Sequence, residues 1–133
     1  MLKTNFKYAL KRVGLPLIIT NNEPHLCLLV DTGSTHNILF SFVLEAYPEL
    51  FNLMNVETSI TGIEGTIMLG KQVNGTIRIE EEEIPVEFLV VKATSSLSNI
   101  QEETGIQVHG ILGIPFLTKS QCILDFKELT ISN

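Results

Sequence analysis

Short apolar segments recur along most of the chain, and this pattern constrains the fold more than any other feature. Runs of this kind, rich in β-branched and aromatic residues and bounded by turn residues, are typical of β-strands. The segments read LPLIIT, HLCLLV, TIML, TIRIE, IPVEFLVV, QCILDF and LTIS. The sequence therefore predicts an all-β protein.

Only a few stretches favour helix. Residues 40–54, FSFVLEAYPELFNLM, read as helical with an interruption at Pro48, and IPFLTK at residues 114–119 reads as a short helical turn. Pro115 suits a first helical position because its missing amide costs nothing there. The polar residues 92–110 are predicted to form a long surface loop with room for one helical turn. We expect one or two short helices.

Length and charge narrow the class of protein. The chain has 133 residues, 44% apolar and 18% charged, without internal repeats or a linker, which predicts one globular domain over residues 1–133. Its net charge of −6 argues against binding to nucleic acid or to anionic lipid. The first apolar run is broken by Lys11, Arg12, Gly14 and Pro16, so we expect no signal peptide or membrane span and a cytoplasmic location.

Two local patterns concern turns. Asn74-Gly75 is compatible with a two-residue hairpin turn or with a bulge inside one long strand, and the bulge is slightly favoured. The four glutamates at residues 80–83 are expected in a solvated hairpin turn, because they lack the ligand spacing of a calcium loop. Cys27 and Cys122 lie in apolar runs and are expected to be free thiols.

Asp31 is the unusual residue of the sequence. It directly follows the apolar residues 26–30, which read as a strand buried on both faces, where an unpartnered carboxylate is costly. The small residues Thr32, Gly33 and Ser34 come next, and their hydroxyl and amide groups would satisfy that carboxylate. Taken alone, Asp-Thr-Gly is equally compatible with an Asx-turn in which the aspartate caps its own loop.

Four segments, in order, resemble the aspartic proteases. LLVDTGSTHNIL (28–39) resembles the active-site loop, TGIEGT (61–66) lies where the family carries its flap, HGILGIPFL (109–117) resembles the second signature, and CILDFKELTIS (122–132) resembles the closing hairpin of bacterial members. The chain thus resembles a retropepsin-like domain of the retroviral and bacterial single-domain type. This resemblance implies an all-β acid protease barrel with a flap hairpin.

The resemblance also implies roles for individual residues. Asp31 is the catalytic residue, Thr32 braces the two loops across a dimer axis, and the Gly33 amide and Ser34 hydroxyl orient the carboxylates. The other implied positions are the flap residues Gly62, Ile63, Glu64 and Gly65, which close over the substrate, and the second signature loop, Ile111, Leu112 and Gly113.

The number of aspartates adds an independent argument. The sequence contains two, Asp31 and Asp125, and Asp125 lacks a following Thr-Gly. Aspartic protease chemistry needs two neighbouring carboxylates that share a proton. We therefore expect a homodimer with one Asp31 from each subunit, acting as an endopeptidase on protein or peptide substrates. The alternative is an inert dimerisation or peptide-binding module of the same fold.

Other chemistries are less favoured by the sequence. The histidines and cysteines lack zinc-ligand spacing, and we expect no metal and no cofactor. His36 has no nucleophile elbow through which to activate Ser34, and His109 is expected to face solvent in a loop. Ile114-Pro115 stands where viral enzymes carry Arg, so the ion pair of that arginine is absent. The C-terminal LTISN and the strand near LPLIIT are expected to supply the exposed edges for dimer pairing.

Overall fold

A computed structural model describes residues 1–61, 67–93 and 95–133, which are mostly β-structure with a few short helices. The strands are β1 (Lys3–Asn5), β2 (Leu17–Ile19), β3 (Cys27–Val30), β4 (Ile38–Phe40), β5 (Phe51–Thr61), β6 (Ile67–Ile79), β7 (Glu82–Val91), β8 (Gly110–Leu112), β9 (Ile123–Asp125) and β10 (Thr130–Ser132). The helices are α1 (Lys7–Val13), α2 (Ser41–Ala46), α3 (Ser95–Thr104) and α4 (Ile114–Lys119), with a 3₁₀-helix at Pro48–Leu50. The predicted predominance of β-structure is confirmed.

The strands form two sheets. The larger has the order β2-β3-β8-β4-β7-β6-β5, and the smaller has the order β1-β10-β9. Each sheet ends in edge strands, so the described residues do not form the closed barrel that the resemblance implied. Both sheets contribute to one apolar core, in which Phe6, Leu28, Val73, Leu112 and Ile131 are almost completely buried. Burial of each such side chain stabilises the fold by about 1.5–3 kcal/mol.

The centre of the larger sheet determines where the Asp31 loop lies. Strand β8 lies between β3 and β4, pairing in parallel with β3 and antiparallel with β4. The chain therefore leaves β3, passes the end of β8 and returns as β4, with Asp31 in the connection. In this arrangement Val30 pairs with Leu112. The residues that follow β3 and β8 thus meet at one end of the sheet.

The helices differ from the sequence prediction. Residues 51–54, predicted as helix, begin strand β5 because the helix ends before Pro48. The predicted loop at 92–110 contains the ten-residue helix α3, and α1 was not predicted at all. Helix α1 ends at Gly14, whose left-handed backbone (φ 79°) lets its amide bond to the Leu10 carbonyl. "One or two short helices" was too few, whereas the helix at IPFLTK is confirmed.

Gly75 lies in neither a hairpin turn nor a bulge. Strand β6 passes through Asn74-Gly75 in regular register, with Gly75 paired to Phe51 on one side and to Val86 on the other. A Cβ at Gly75 would lie 2.7 Å from Cδ1 of Phe51, so the glycine is required by packing. Both alternatives for Asn74-Gly75 are therefore wrong.

The glutamate run does form the predicted hairpin turn. Residues 80 and 81 form the turn between β6 and β7, and Ile79 pairs with Glu82 across it. Glu80 has a left-handed backbone (φ 53°), which is uncommon for a residue with a side chain. Glu83 forms an exposed ion pair with Arg78 at 2.7 Å. Exposed pairs of this kind contribute about 0–1 kcal/mol.

The two strands expected to offer free edges differ in their positions. Strand β10 is the middle strand of the smaller sheet, because β1 and β9 occupy its two sides. The C-terminal strand is therefore not an available edge, and that expectation was wrong. Strand β2, from the LPLIIT segment, is an edge strand as expected.

The described helices are too short to cross a bilayer, since none offers an apolar stretch of the necessary length. The cytoplasmic location stays a prediction. Cys27 is buried and Cys122 is half-buried, and both are free thiols.

Candidate active site

The backbone around Asp31 is fixed by both neighbouring strands and its own turn. The Asp31 amide donates a hydrogen bond to the Leu112 carbonyl at 3.0 Å, which continues the pairing of β3 with β8. The Ser34 amide donates to the Asp31 carbonyl at 3.2 Å and closes a tight turn. Asp31 therefore has a defined backbone position at the end of the central strands.

The carboxylate of Asp31 is only partly engaged. Its Oδ1 accepts a hydrogen bond from the Gly33 amide at 2.8 Å, and a Cβ at Gly33 would lie 3.2 Å from that oxygen. Within the described residues, this is the only hydrogen bond to the carboxylate. Asp31 is half-buried rather than fully buried, and Thr32 and Gly33 are exposed. The carboxylate is therefore held from one side and remains accessible.

Ser34 supports the loop without touching the carboxylate. Its hydroxyl donates to the His36 carbonyl at 2.7 Å, and its own carbonyl accepts from the Ile114 amide at 2.8 Å. The His36 ring lies instead beside the Thr35 hydroxyl, at 3.0 Å from Nδ1. The described contacts thus do not join the Ser34 hydroxyl to the His36 ring as a nucleophile and base.

Asn37 is a structural centre of the site that sequence reasoning missed. Its side chain is buried, and Oδ1 accepts hydrogen bonds from the amides of Gly113 at 3.0 Å and Phe116 at 3.2 Å. Its Nδ2 donates to the Glu87 carbonyl at 3.2 Å. One amide side chain therefore connects the Asp31 loop to α4 and β7. The available signal was a lone asparagine immediately before the apolar return strand, since a buried amide needs partners.

The second signature lies directly beside the first. Ile111 and Leu112 pair with Leu29 and Val30, and Leu112 is completely buried. Gly113 follows at the loop, where a Cβ would lie 2.6 Å from the Ser34 carbonyl oxygen. The structure therefore brings together two segments about eighty residues apart in the sequence, as the resemblance implied.

The predicted flap residues, Gly62, Ile63, Glu64 and Gly65, lie outside the described residues. The strands on either side of them are β5 and β6, which pair antiparallel up to Thr61 and Ile67. The role of the flap residues stays a prediction.

A groove of about 350 Å³ borders Asp31. Thr32 lines it beside the carboxylate, and apolar side chains from three parts of the chain line the rest. These are Phe6, Leu15, Pro16, Leu29, Val30, Leu124 and Phe126. Because the wall is apolar except near the loop, the groove suits an apolar side chain of a peptide or of another protein molecule.

Asp125 has a structural role in its own turn. Its Oδ1 accepts hydrogen bonds from the amides of Lys127 at 2.9 Å and Glu128 at 3.0 Å. This is the interaction of an aspartate that caps a turn. The two aspartates of the chain therefore differ, because Asp125 is engaged by two amides and Asp31 by one.

His109 is half-buried, contrary to the expectation that it faces solvent. Its Nδ1 accepts a hydrogen bond from the Cys27 amide at 2.8 Å, and its ring packs 6.2 Å from that of Phe42. Burial lowers the pKa of His109 below its usual value of 6.5. Burial also raises the pKa of the Cys27 thiol to about 11, so this cysteine is an inert apolar residue at neutral pH. Within the described part of the chain, no three potential metal ligands come together.

Comparison with known proteins supports the fold. Neither a protein-family model nor a curated protein sequence matches the chain. Among solved structures, it is similar to the retroviral protease-like domain of Ddi1 from Leishmania major, with a TM-score of 0.55 and 16% sequence identity. The similarity covers 88% of this chain and 88% of that one. Together with the strand order around Asp31, it shows that the chain has a retropepsin-like fold.

Proposed function

We propose that this protein is an aspartic endopeptidase whose active form is a homodimer with one Asp31 from each subunit. The observation that carries the proposal is the accessible Asp31 carboxylate, held at the end of β3 by the Gly33 amide and by the pairing of its backbone with β8. A rigid backbone with an open carboxylate is what a shared catalytic site requires, because its partner must approach to hydrogen-bonding distance.

The chemistry uses two Asp31 carboxylates that share one proton. The ionised carboxylate accepts a proton from a water molecule as the water attacks the scissile carbonyl, and the protonated carboxylate donates to the developing oxyanion. The proton then passes to the leaving amine as the C–N bond breaks. Neither a covalent enzyme intermediate nor a cofactor takes part in these steps.

The apolar groove beside Asp31 supports a preference for substrates with apolar side chains near the cleaved bond. Leu29 and Val30 of β3 line this groove directly before the aspartate. Residues 62–65 would close over the bound peptide and exclude water, as implied by the resemblance.

The alternative function is an inert dimerisation or peptide-binding module. One observation favours it, since the bond from the Gly33 amide to Asp31 is also the bond of a simple Asx-turn. The difference in exposure and hydrogen bonding between Asp31 and Asp125 favours the enzyme. A capping aspartate needs no open oxygen, whereas a catalytic aspartate does.

A peptide-library cleavage assay with three matched proteins tests the proposal. We expect wild type to cleave peptides and Asp31→Asn to be inactive with an unchanged fold, because the amide keeps the shape but cannot serve as the base. Asp125→Asn is the control, and it should retain activity because its side-chain oxygen still accepts the turn amides. Wild type that cleaves nothing, or an Asp31→Asn variant as active as wild type, would contradict the proposed function.

A further inference from the structure

One edge of the smaller sheet is apolar and unprotected. Strand β9 forms that edge, with Ile123 60% exposed on it and Phe126 62% exposed in the turn that follows. Exposed edge strands usually carry a lysine or proline that prevents pairing with other chains. The opposite edge follows this rule, since β1 carries the exposed Lys3. The two edges of one sheet therefore differ in whether they can accept another strand.

Phe126 is held in position despite its exposure. Its ring packs 5.6 Å from the ring of Phe6, which is 1% exposed. The outer side of Phe126 therefore forms a fixed apolar surface. An ordered, exposed aromatic ring is typical of the residues that stabilise protein interfaces.

The apolar edge continues into the candidate active site. Leu124 of β9 and Phe126 line the same groove as Asp31 and Thr32. A molecule that covers the β9 edge therefore also lies against the Asp31 loop. This places the unprotected edge on the side of the protein where the proposed catalysis needs a second aspartate.

We propose that β9 pairs antiparallel with β9 of a second copy of this chain, so that the two smaller sheets join into one sheet of six strands. The inference rests on the proposed function, because one Asp31 per chain makes the site incomplete without a second copy. A two-fold axis pairs identical strands antiparallel and closes the assembly at two subunits. Strand β10 cannot take this role, since β1 and β9 already pair with it.

The pairing explains the exposed residues of this region together. Ile123 and Phe126 become buried against the second copy, and the backbone groups on the outer side of β9 gain partners. By symmetry, each subunit brings its own Asp31 loop towards the groove of the other. The dimer thus forms through the strand before the C-terminal one rather than through the C-terminal strand.

Sedimentation velocity over a concentration series tests the inference with two matched substitutions. Ile123→Lys places a charge on the proposed interface, and Ile19→Lys places the same charge on β2, the exposed edge of the larger sheet, where Ile19 is 55% exposed. We expect wild type and Ile19→Lys to be dimers, and Ile123→Lys to have a dissociation constant at least about tenfold higher. Circular dichroism should show the same fold for all three proteins. If Ile123→Lys does not fold, Phe126→Ser in the turn should weaken the dimer similarly.

The outcomes separate the interface from the catalysis. Monomeric wild type, or dissociation caused by Ile19→Lys but not by Ile123→Lys or Phe126→Ser, overturns the inference. A dimer that requires Ile123 yet cleaves no peptide supports the interface and contradicts the proposed function. An active enzyme whose Ile123→Lys variant stays fully dimeric contradicts the interface alone.

Discussion

Ser34 and Gly113 meet at the contact between the two loops of the candidate site. The Ser34 carbonyl oxygen accepts a hydrogen bond from the Ile114 amide at 2.8 Å and lies where a Cβ at Gly113 would be only 2.6 Å away. Both atoms at this contact are backbone atoms, so neither side can move by changing a rotamer. The position of the Asp31 loop therefore depends on a residue without a side chain more than eighty positions later.

Gly113→Ala is expected to destabilise the protein and to displace the Asp31 loop. The added methyl group overpacks a backbone contact, which costs about 1–3 kcal/mol of unfolding free energy. Urea denaturation measures this loss, and peptidase activity per folded molecule should fall with it. Gly105→Ala is the control, because its cost of about 1–2 kcal/mol comes from a left-handed backbone (φ 76°) in open space. Equal activity in the two variants would show that Gly113 does not position the loop.

Asn37→Ala is expected to be among the more destabilising polar substitutions. It leaves the amides of Gly113 and Phe116 and the carbonyl of Glu87 without their present partner. Unsatisfied buried groups cost about 1–3 kcal/mol each, although a water molecule entering the space recovers part of this. Asn52→Ala, at an exposed position in β5, should change the unfolding free energy by less than about 0.5 kcal/mol. Similar stability of the two variants would contradict the central role of Asn37.

The buried ring of His109 predicts loss of stability in mild acid. Its pKa is lowered in the folded protein, so the unfolded chain binds the proton more readily, and unfolding is favoured as pH falls below about 6.5. Protonation also removes the acceptor that Nδ1 presents to the Cys27 amide. Unfolding free energies measured between pH 7.5 and 5 should therefore decrease.

His109→Gln provides the matched comparison for this pH dependence. Glutamine is uncharged across the range and has a side-chain oxygen that can accept a hydrogen bond. The decrease between pH 7.5 and 5 should be smaller in the variant, because carboxylates titrate mainly below that range. Parallel curves for the two proteins would show that His109 does not cause the effect.

The sequence predicted the site better than it predicted the elements around it. Asp31 and the residues 111–113 were recognised because their small residues and apolar strands are local signals, and the structure brings them together. Asn37 was missed because its importance depends on Gly113, Phe116 and Glu87, which are distant in the sequence.

Gly75 and the C-terminal strand show the same limit. Gly75 resembled a turn residue, but its reason is the ring of Phe51, a contact between strands that local sequence does not reveal. Strand β10 resembled a free edge because its apolar pattern does not indicate that β1 and β9 occupy both of its sides. Local chemistry was therefore readable, whereas the arrangement of partners required the structure.

A peptide with a tetrahedral hydroxyl group in place of the scissile carbonyl is expected to bind with one molecule per two chains. A catalytic site on a two-fold axis, made of two Asp31 carboxylates, has room for one such peptide, and its hydroxyl takes the position of the attacking water. Analogues of this type bind about 10²-fold or more tightly than the matching substrate. Titration calorimetry should give a stoichiometry of about one half per chain, with binding strongly weakened in Asp31→Asn but retained in Asp125→Asn. One peptide bound per chain would mean that each subunit holds a separate site, and the shared carboxylate pair would then be wrong.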